Sequence, residues 1–528
     1  MQFGAHEDLV LLALLVAMAA LLLTAPLARI PYPIFLVLGG LALSFVPGIP
    51  DLSLPPEVVL VAVLPPLLYL SAFFTSLRDL RQKAAPISLL AVGLVAVTTV
   101  TVAAAAHWWI DGFSWKAAFV LGAVVSPTDP IAATAIASRL GVPRRVIAVI
   151  EGESLVNDGT ALVLLKVAVG AVVAGTFSTT DLGLRFVWSV VGGVGIGLVV
   201  GYVVAELRRR IDNPPIEVTI SLMTGYFAFL PAAAAGSSGV LAVVTAGVYL
   251  GWRTPELTSV QSRLQATAMW EILTFVINAL LFALVGLQLP HIVDALGGTS
   301  TSTLILDGLL VVAAVIVTRL VFVPPLIYLP YLFSSTARSA GSRFGYSLVV
   351  AWSGMRGAVS LAAALSIPLA TDAGDAFPSR DLIIFLAFCV ILGTLVLQGL
   401  TLPALIRALR IEDDGIAERE DAKARIKAAD AALARLEELA AEEWVRDETA
   451  ERLRGLYNFR RNRFAARFDD GDDGGIEARS LDYQRLRREL LEAERGAIVG
   501  LRRDGVINDD VMHRLQRDLD LEDARLDV

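Results

Sequence analysis

The chain has 528 residues, of which 55% are hydrophobic and 18% are charged, with a formal net charge of −8. A soluble domain carries about 25% charged residues, and the deficit lies in residues 1–410, which are almost continuous apolar runs. The composition therefore excludes a wholly soluble protein and predicts an integral membrane domain (1–410) followed by a charged tail (411–528). No basic stripe is present, so nucleic acid is not expected as a partner.

Hydropathy divides the first 410 residues into membrane spans. A helix that crosses a bilayer needs ~20 apolar residues, and by that rule the chain has about thirteen spans. The interval 215–252 is the hardest to divide, because Pro231 and Gly236 interrupt it. The predicted spans are 8–26, 31–47, 54–75, 85–108, 114–138, 144–173, 183–207, 215–232, 237–252, 264–288, 303–330, 346–369 and 381–408.

The loops between these spans alternate in charge. One set is basic and contains Arg29; Arg78, Arg81 and Lys83; Arg139, Arg144 and Arg145; Arg208, Arg209 and Arg210; Arg253 and Arg263; Arg338 and Arg343; Arg407 and Arg410. The other set is acidic and contains Asp51 and Glu57; Asp111; Asp181; Asp294; Asp372 and Asp375. Because basic loops stay in the cytoplasm, we expect a multi-pass protein of the plasma or inner membrane, with its N-terminus outside and its tail in the cytoplasm.

The tail has the pattern of solvated helices. The stretch "EREDAKARIKAADAALARLEELAAEEW" is rich in helix-forming residues and has opposite charges four positions apart, which stabilises helices. The glycine-rich segment "DDGDDGG" at 469–475 is expected to interrupt the helix, which resumes after it.

The fifth span contains a charged residue between two prolines. In "SPTDP", Asp129 is preceded by Pro127 and followed by Pro130. Proline removes a backbone donor and disrupts the preceding turn, and irregular backbone at membrane depth is tolerated only where protein or water lines it. The sequence therefore predicts an unwound helix near Thr128, with Asp129 at the break.

The sixth span carries several polar side chains in "IEGESLVNDGTALVLL". A carboxylate at the centre of a membrane helix costs about 2.5–3.5 kcal/mol, so these acids require a specific purpose. Ser154 and Asp158 are four residues apart and share a helix face, with Glu151 a turn earlier near the cytoplasmic end. Glu153 and Asn157 lie on a different face. One polar stripe is thus available for a ligand and the other for a neighbouring helix.

Two later spans also carry a charge. Arg319 lies in the apolar "VVAAVIVTRLVFV" and needs a carboxylate partner. In "SGMRGAVSLAAALSIP", Gly354, Arg356 and Gly357 interrupt the twelfth span. This break mirrors the one in the fifth span but runs in the opposite direction, and paired interruptions of this kind are typical of inverted-repeat transporters.

Three motifs together, "SPTDPIAATAI", "EGESLVNDGTALVL" and "GMRGAVSLA", resemble the monovalent cation:proton antiporter family, specifically the bacterial NhaP/NHE-type Na⁺/H⁺ exchangers. The resemblance covers residues 8–410. It implies an all-α membrane protein with inverted repeats and two unwound crossing helices, acting as a homodimer without a cofactor. It also implies that Asp129 and Asp158 bind Na⁺, that Ser154 and the backbone around Thr128 add oxygen ligands, and that Asn157 orients the site.

The same resemblance assigns the other buried charges. Glu153 is implied to pair with Arg319, and Arg356 corresponds to the arginine at the second helix break. One departure concerns the third span, where this branch often carries a glutamate after a Pro-Pro-Leu-Leu stretch. Here the chain has Leu70 and Ser71 instead, so the missing acid bears on ion preference.

Ion exchange follows from competition at a shared buried site. Two neighbouring carboxylates away from water hold either a proton or a cation, and alternating access around that site converts the competition into exchange of H⁺ for Na⁺ or Li⁺. The resemblance implies an electroneutral exchange that serves pH and sodium homeostasis. The alternatives are a K⁺/H⁺ antiporter, a cation channel and, remotely, an intramembrane aspartyl protease, whose expected G-x-G-D context is missing from both aspartate motifs.

Overall fold

Proline residues fix the start of several helices. Pro130 and Pro214 occupy first helical positions, where the missing N–H has no intrahelical partner to lose and the proline φ already suits a helix. The computed structural model describes residues 20, 23–24, 31–46, 58–173, 179–294, 296–297, 300–332, 340–411, 413, 415–465 and 475–524. The first predicted span (8–26), apart from residues 20 and 23–24, lies outside the described residues, as do Arg29, Asp51 and Glu57.

The chain divides into two compact units, Met1–Glu412 and Asp413–Val528. The helices of the first unit are α1 (Tyr32–Ser44), α2 (Leu64–Phe74, preceded by the π-helical turn Val58–Val63), α3 (Leu77–Gln82), α4 (Ala84–Trp109, with the π-helical turn Leu89–Leu94), α5 (Trp115–Val125), α6 (Pro130–Arg139), α7 (Arg144–Val173), α8 (Thr179–Arg209), α9 (Pro214–Ala234), α10 (Gly239–Leu257), α11 (Val260–Leu287), α12 (Leu289–Asp294), α13 (Thr301–Leu332), α14 (Ala340–Trp352), α15 (Ala358–Leu365) and α16 (Arg380–Ala408, with the π-helical turn Thr394–Gln398).

These helices confirm the predicted all-α membrane architecture. Among the described residues, eight helical segments are long and apolar enough to cross a membrane, and two shorter apolar helices accompany them. Each of the predicted spans after the first has a helical counterpart, while the total of thirteen stays a prediction. In the interval 215–252, the helix continues through Pro231, and the turn falls at Gly236, whose φ is +72°.

The membrane unit has two main apolar cores. The larger core joins α1, α4 to α7 and α13 to α16, and the smaller one joins α2 and α8 to α10, with α11 contributing to both. We call these the large and the small helix groups. Polar residues that line the boundary between them are therefore held on two separately packed scaffolds.

Glycines bring two helices of the small group close together. A side chain at Gly193, Gly197 or Gly201 of α8 would meet atoms of α10. The Gly-x-x-x-Gly spacing in α8 is typical of a helix-packing surface, and the close approach to α10 shows that it acts as one here.

The second unit consists of four helices within its described residues, α17 (Ile416–Leu439), α18 (Asp447–Ala465), α19 (Gly475–Arg503) and α20 (Asp509–Ala524). Ion pairs join the members of each hairpin: Arg454 pairs with Glu437 at 2.8 Å, and Arg495 pairs with Asp523 at 2.9 Å. The predicted helical tail is confirmed. Its predicted interruption falls largely on residues 466–474, which lie outside the described residues.

Candidate functional site

The predicted break in the fifth span lies between α5 and α6. Residues Ser126 to Asp129 are non-helical, and Asp129 is the N-cap of α6, with its Oδ1 accepting a hydrogen bond from the Ile131 N–H at 2.9 Å. An aspartate at this position satisfies one of the N–H groups that a helix leaves unpaired at its start.

The second break, between α14 and α15, crosses the first. Residues Ser353 to Gly357 are non-helical, and the backbone N–H of Asp129 donates to the Met355 carbonyl at 2.7 Å. The Arg356 Nε donates to the Val125 carbonyl at 3.0 Å. Each break thereby satisfies backbone groups that the other leaves exposed at membrane depth.

The helix α7 contributes polar side chains to the same place. The hydroxyls of Thr128 and Ser154 hydrogen-bond to each other at 3.2 Å, and the Asn157 Nδ2 donates to the Thr128 Oγ1 at 2.7 Å. The Asn157 Oδ1 is buried and has no hydrogen-bond partner within the part of the chain that the structure describes. Asn157 therefore holds the unwound segment against α7.

A cavity of about 170 Å³ lies at this crossing, and we call it the inner cavity. Thr128, Asp129, Ser154 and Asp158 all line it, and the Asp158 side chain is only 8% exposed. The predicted ligand face of α7 thus meets the predicted helix break. Two carboxylates and two hydroxyls offer the oxygen atoms that a hard cation prefers.

The inner cavity also has lining residues that the sequence reasoning missed. The polar ones among these are Thr274 and Asn278 of α11 and Ser360 of α15, and they lie beside Ser71 of α2, which the sequence analysis had already singled out. Asn278 in the apolar run "FVINALLFAL" was an available signal, because a lone amide in a membrane span needs a polar neighbour. These residues place both helix groups around the cavity.

The second polar face of α7 carries Glu153, which pairs with Arg319 of α13. The Arg319 Nη1 lies 2.5 Å from Glu153 Oε1, and the Nη2 lies 2.8 Å from Oε2. Arg319 also donates to the carbonyls of Val350 at 3.0 Å and Ala351 at 3.1 Å, at the end of α14. This bidentate pair is buried, with exposures of 2% and 1% for the two side chains.

Arg356 uses backbone groups. Its guanidinium donates to the carbonyls of Val125 and Gly354, and its backbone N–H donates to the Thr394 hydroxyl at 3.1 Å. No ion pair between Arg356 and Glu153 is present among the described residues. Arg356 therefore ties the two breaks together without using that carboxylate.

One arginine was assigned to the wrong environment. Arg208 was counted with the basic loop after α8, but its side chain is 3% exposed and lies 4.0 Å from the carboxylate of Glu217. Glu217 in turn accepts a hydrogen bond from the Ser262 hydroxyl at 3.0 Å. The two residues after Arg208, Arg209 and Arg210, are exposed. The run of three arginines in the sequence therefore gave no sign that one of them turns inward.

Similarity to known proteins agrees with this architecture. Residues 10–408 match the family described as the sodium/hydrogen exchanger, transmembrane. The chain belongs to the sodium/hydrogen exchanger family. The family-level function predicted from the three motifs is thereby confirmed.

Two relatives of the chain cover most of its length. A protein of Mycobacterium tuberculosis, described as an uncharacterized Na⁺/H⁺ exchanger, is 39% identical over 506 residues, which are 94% of this chain and 92% of that protein. The low-affinity Na⁺/H⁺ antiporter NhaS1 of Synechocystis is 35% identical over 417 residues, covering 78% of this chain and 76% of that protein.

A solved structure shares the fold. The sodium proton antiporter MjNhaP1 of Methanocaldococcus jannaschii matches 76% of this chain and 99% of its own, with a TM-score of 0.58 and 20% sequence identity. This likeness confirms the fold class inferred for a chain of this family.

Glycine at position 357 leaves room for the Asp129 carboxylate. A side chain added there would collide with Asp129 Oδ2, so we expect Gly357→Ala to reduce Na⁺-driven proton flux at least tenfold by displacing that carboxylate. The measurement is flux in vesicles at matched protein content. Gly170→Ala is the control, because nothing lies within 4 Å of a Cβ at that position of α7. Equal flux in the two variants would contradict the expectation.

Proposed function

We propose that this protein is a secondary active antiporter that exchanges Na⁺ for H⁺ across the cell membrane and thereby serves pH and sodium homeostasis. The observation that carries the proposal is that Asp129 and Asp158 line one buried cavity where two broken helices cross. Neighbouring carboxylates shielded from water favour an occupant of positive charge. A proton and a sodium ion compete for that place, and exchange follows when the site is exposed to each side in turn.

The surrounding residues have distinct roles in this proposal. Asp129, Asp158 and Ser154 supply oxygen ligands to Na⁺, together with backbone oxygens near Thr128. Asn157 fixes Thr128 through its hydrogen bond. Glu153 and Arg319 hold α7 against α13, and Arg356 keeps the two helix breaks in register. No step of the exchange calls for a cofactor or for covalent chemistry, so we propose no enzymatic activity.

Two residues in the wall of the inner cavity bear on whether the site prefers Na⁺, Li⁺ or K⁺. Leu70 and Ser71 occupy the place where an acid often stands in this branch, and both line the inner cavity. Ser71 offers a neutral oxygen where a carboxylate would offer a charge. Na⁺ is the proposed ion, and Li⁺ and K⁺ are tested beside it. A K⁺/H⁺ antiporter would give the larger response to K⁺.

The test is proton movement in vesicles that contain only the purified protein. We expect Na⁺ to drive proton release at a rate unchanged when the membrane potential is clamped between 0 and −100 mV, because a one-for-one exchange moves no net charge. A transfer of one elementary charge would be biased by about 2.3 kcal/mol per 100 mV. A voltage-dependent rate would contradict electroneutrality, and a conductance far above carrier turnover would indicate a channel.

Assembly and orientation are part of the proposal. We propose a homodimer in the plasma or inner membrane, with the N-terminus outside and the tail in the cytoplasm, on the basis of the family resemblance and the alternating loop charges. Labelling of the termini from each side of sealed cells tests the orientation. Cross-linking at low protein concentration tests the dimer.

Deleting the tail from residue 420 is expected to leave exchange measurable. Every proposed ligand lies before Leu361, and the chain divides after Glu412 into separately packed units. The measurement is Na⁺-driven proton flux of the truncated protein over a range of pH, compared with the full chain at equal membrane insertion. Complete loss of flux in a correctly inserted truncation would show that the tail belongs to the transport machinery.

A further inference from the structure

A second cavity, of about 360 Å³, lies between the helix groups, and we call it the outer cavity. The inner cavity is lined by α7 residues between Ser154 and Asp158, whereas the outer cavity is lined by α7 residues between Leu162 and Val169. A helix rises 1.5 Å per residue, so the outer cavity begins roughly 6 Å beyond Asp158 along α7. It is lined by Leu64, Leu162, Val163, Leu165, Lys166, Val169, Ser189, Phe229, Ala233, Ser237, Ser238, Gly239, Val240, Ser366 and Pro368.

The outer cavity has unused hydrogen-bond donors. Lys166 donates to the Gly236 carbonyl at 3.1 Å, and an ammonium has three donors. The Ser189 side chain is 4% exposed, and its hydroxyl has no partner among the described residues. The hydroxyls of Ser237 and Ser366 already donate to backbone carbonyls. The Ser238 hydroxyl accepts a hydrogen bond from the Leu241 N–H at the start of α10. Lys166, which carries a positive charge, and Ser189, whose hydroxyl has no partner within the described part of the chain, are the donors that we assign to a ligand.

The charge of the outer cavity is opposite to that of the inner one. Its described lining includes an ammonium and no carboxylate, whereas two carboxylates line the inner cavity. A cation prefers oxygen ligands of negative charge, and a lysine repels it. The outer cavity is therefore suited to an anion.

The apolar residues of the lining favour an anion that also has an apolar part. Leu162, Val169, Phe229 and Val240 face the cavity, and its volume falls within the ~300–1,000 Å³ typical of ligand pockets. Trp188, next to Ser189, is 56% exposed. Tryptophan marks the level of the lipid headgroups in membrane proteins. The outer cavity thus has a cationic hydrogen-bond donor and an apolar wall, and it lies near the level of the lipid headgroups.

We propose that the outer cavity binds an amphiphilic anion, with its carboxylate or phosphate group on Lys166 and Ser189 and its apolar chain against Leu162 and Phe229. The ligand lies between the two helix groups, beyond Gly159 of α7, where an added side chain would meet Val240 and Leu241. A ligand bound in the outer cavity holds the two helix groups in the arrangement that the structure shows. It therefore slows exchange, a consequence that rests on the proposed function.

Protection of a single cysteine tests the binding step. Cys389 is the one cysteine of the chain, so Cys389→Ser combined with Ser366→Cys places one thiol at the outer cavity. The rate of its reaction with a membrane-impermeant maleimide is measured in nanodiscs of zwitterionic lipid. Dodecyl phosphate and laurate, each below its micelle-forming concentration, are expected to slow the reaction at least fivefold. Dodecyltrimethylammonium and inorganic phosphate are expected to leave it unchanged.

Protection by dodecyl phosphate alone, or by laurate alone, supports the proposal and identifies the headgroup chemistry. Equal protection by dodecyltrimethylammonium would overturn it in favour of a nonspecific apolar groove. Protection by inorganic phosphate, or by none of the compounds, would also overturn it. In the same background, Lys166→Met and Ser189→Ala are each expected to weaken protection at least threefold, while the exposed tail change Lys427→Met leaves protection intact.

The binding test is independent of transport. We expect protection to persist in the Asp158→Asn background, because Asp158 lines the inner cavity only. If Na⁺-driven flux is absent in the parent protein but protection is observed, the proposed function fails and the anion site stands. If flux is normal and protection is absent, the proposed function stands and the anion site is refuted.

Discussion

Replacing Asp158 with asparagine is expected to abolish Na⁺-driven proton flux while the protein remains folded and inserted. Asparagine has nearly the same volume and still hydrogen-bonds, but it cannot release a proton in exchange for a cation. Asp158 lies on α7 at the inner cavity, where Asp129 is the second acid. Flux is measured in vesicles and folding by thermal unfolding of the purified protein. Asp129→Asn is expected to behave in the same way.

The matched control for Asp158→Asn is Glu151→Gln. Glu151 lies on the same helix two turns earlier but is exposed, so its neutralisation is expected to change flux less than twofold. Normal flux in Asp158→Asn would remove this residue from the ion site. Equal loss of flux in both variants would indicate that α7 as a whole, and not its inward carboxylate, is sensitive to charge.

Removing one member of the Glu153–Arg319 pair is expected to destabilise the protein by about 3–5 kcal/mol, because the other charge stays buried without its partner. Arg319→Ala should cost more than Glu153→Ala, since Arg319 also donates to the carbonyls of Val350 and Ala351. The double variant should recover part of the loss, as no unpaired charge remains. Thermal unfolding in detergent and the yield of folded protein measure all three variants.

A solvent-exposed ion pair provides the comparison for the buried Glu153–Arg319 pair. Glu206 and Arg210 are 2.8 Å apart, with side-chain exposures of 35% and 74%, and such pairs contribute about 0.2–1 kcal/mol. A second double-mutant cycle pairs Glu153 with Arg356. Strong coupling there, together with none between Glu153 and Arg319, would contradict the arrangement described for the core.

Proline and charge patterns in the sequence predicted the most unusual parts of the fold. The prolines around Asp129 indicated an interrupted helix, since the ring constrains the backbone locally and needs no tertiary information. The two polar faces of α7 followed from helical spacing alone. The cost of a lone charge in an apolar span predicted that Arg319 must have a partner, and the family resemblance implied that Glu153 is that partner.

Other features depend on contacts between distant segments, which local patterns do not specify. Thr274 and Asn278 reach the inner cavity because α11 packs against both helix groups, a choice of neighbour that periodicity leaves open. Arg208 turns inward because Glu217 and Ser262 meet there. The outer cavity is a gap in packing between α7 and the helices α8, α9 and α10, and only the assembled helices define it.

The crossing of the two broken helices has a consequence for how the chain is made. The Val125 carbonyl ends α5, and its partner Arg356 lies 231 positions later in the sequence. Synthesis at about 5–20 residues per second separates the two by roughly 10–50 s. During that time the first break has emerged from the ribosome without the partners that later satisfy its backbone groups. The early half of the molecule therefore has to stay beside water, or beside the insertion machinery, until its counterpart arrives.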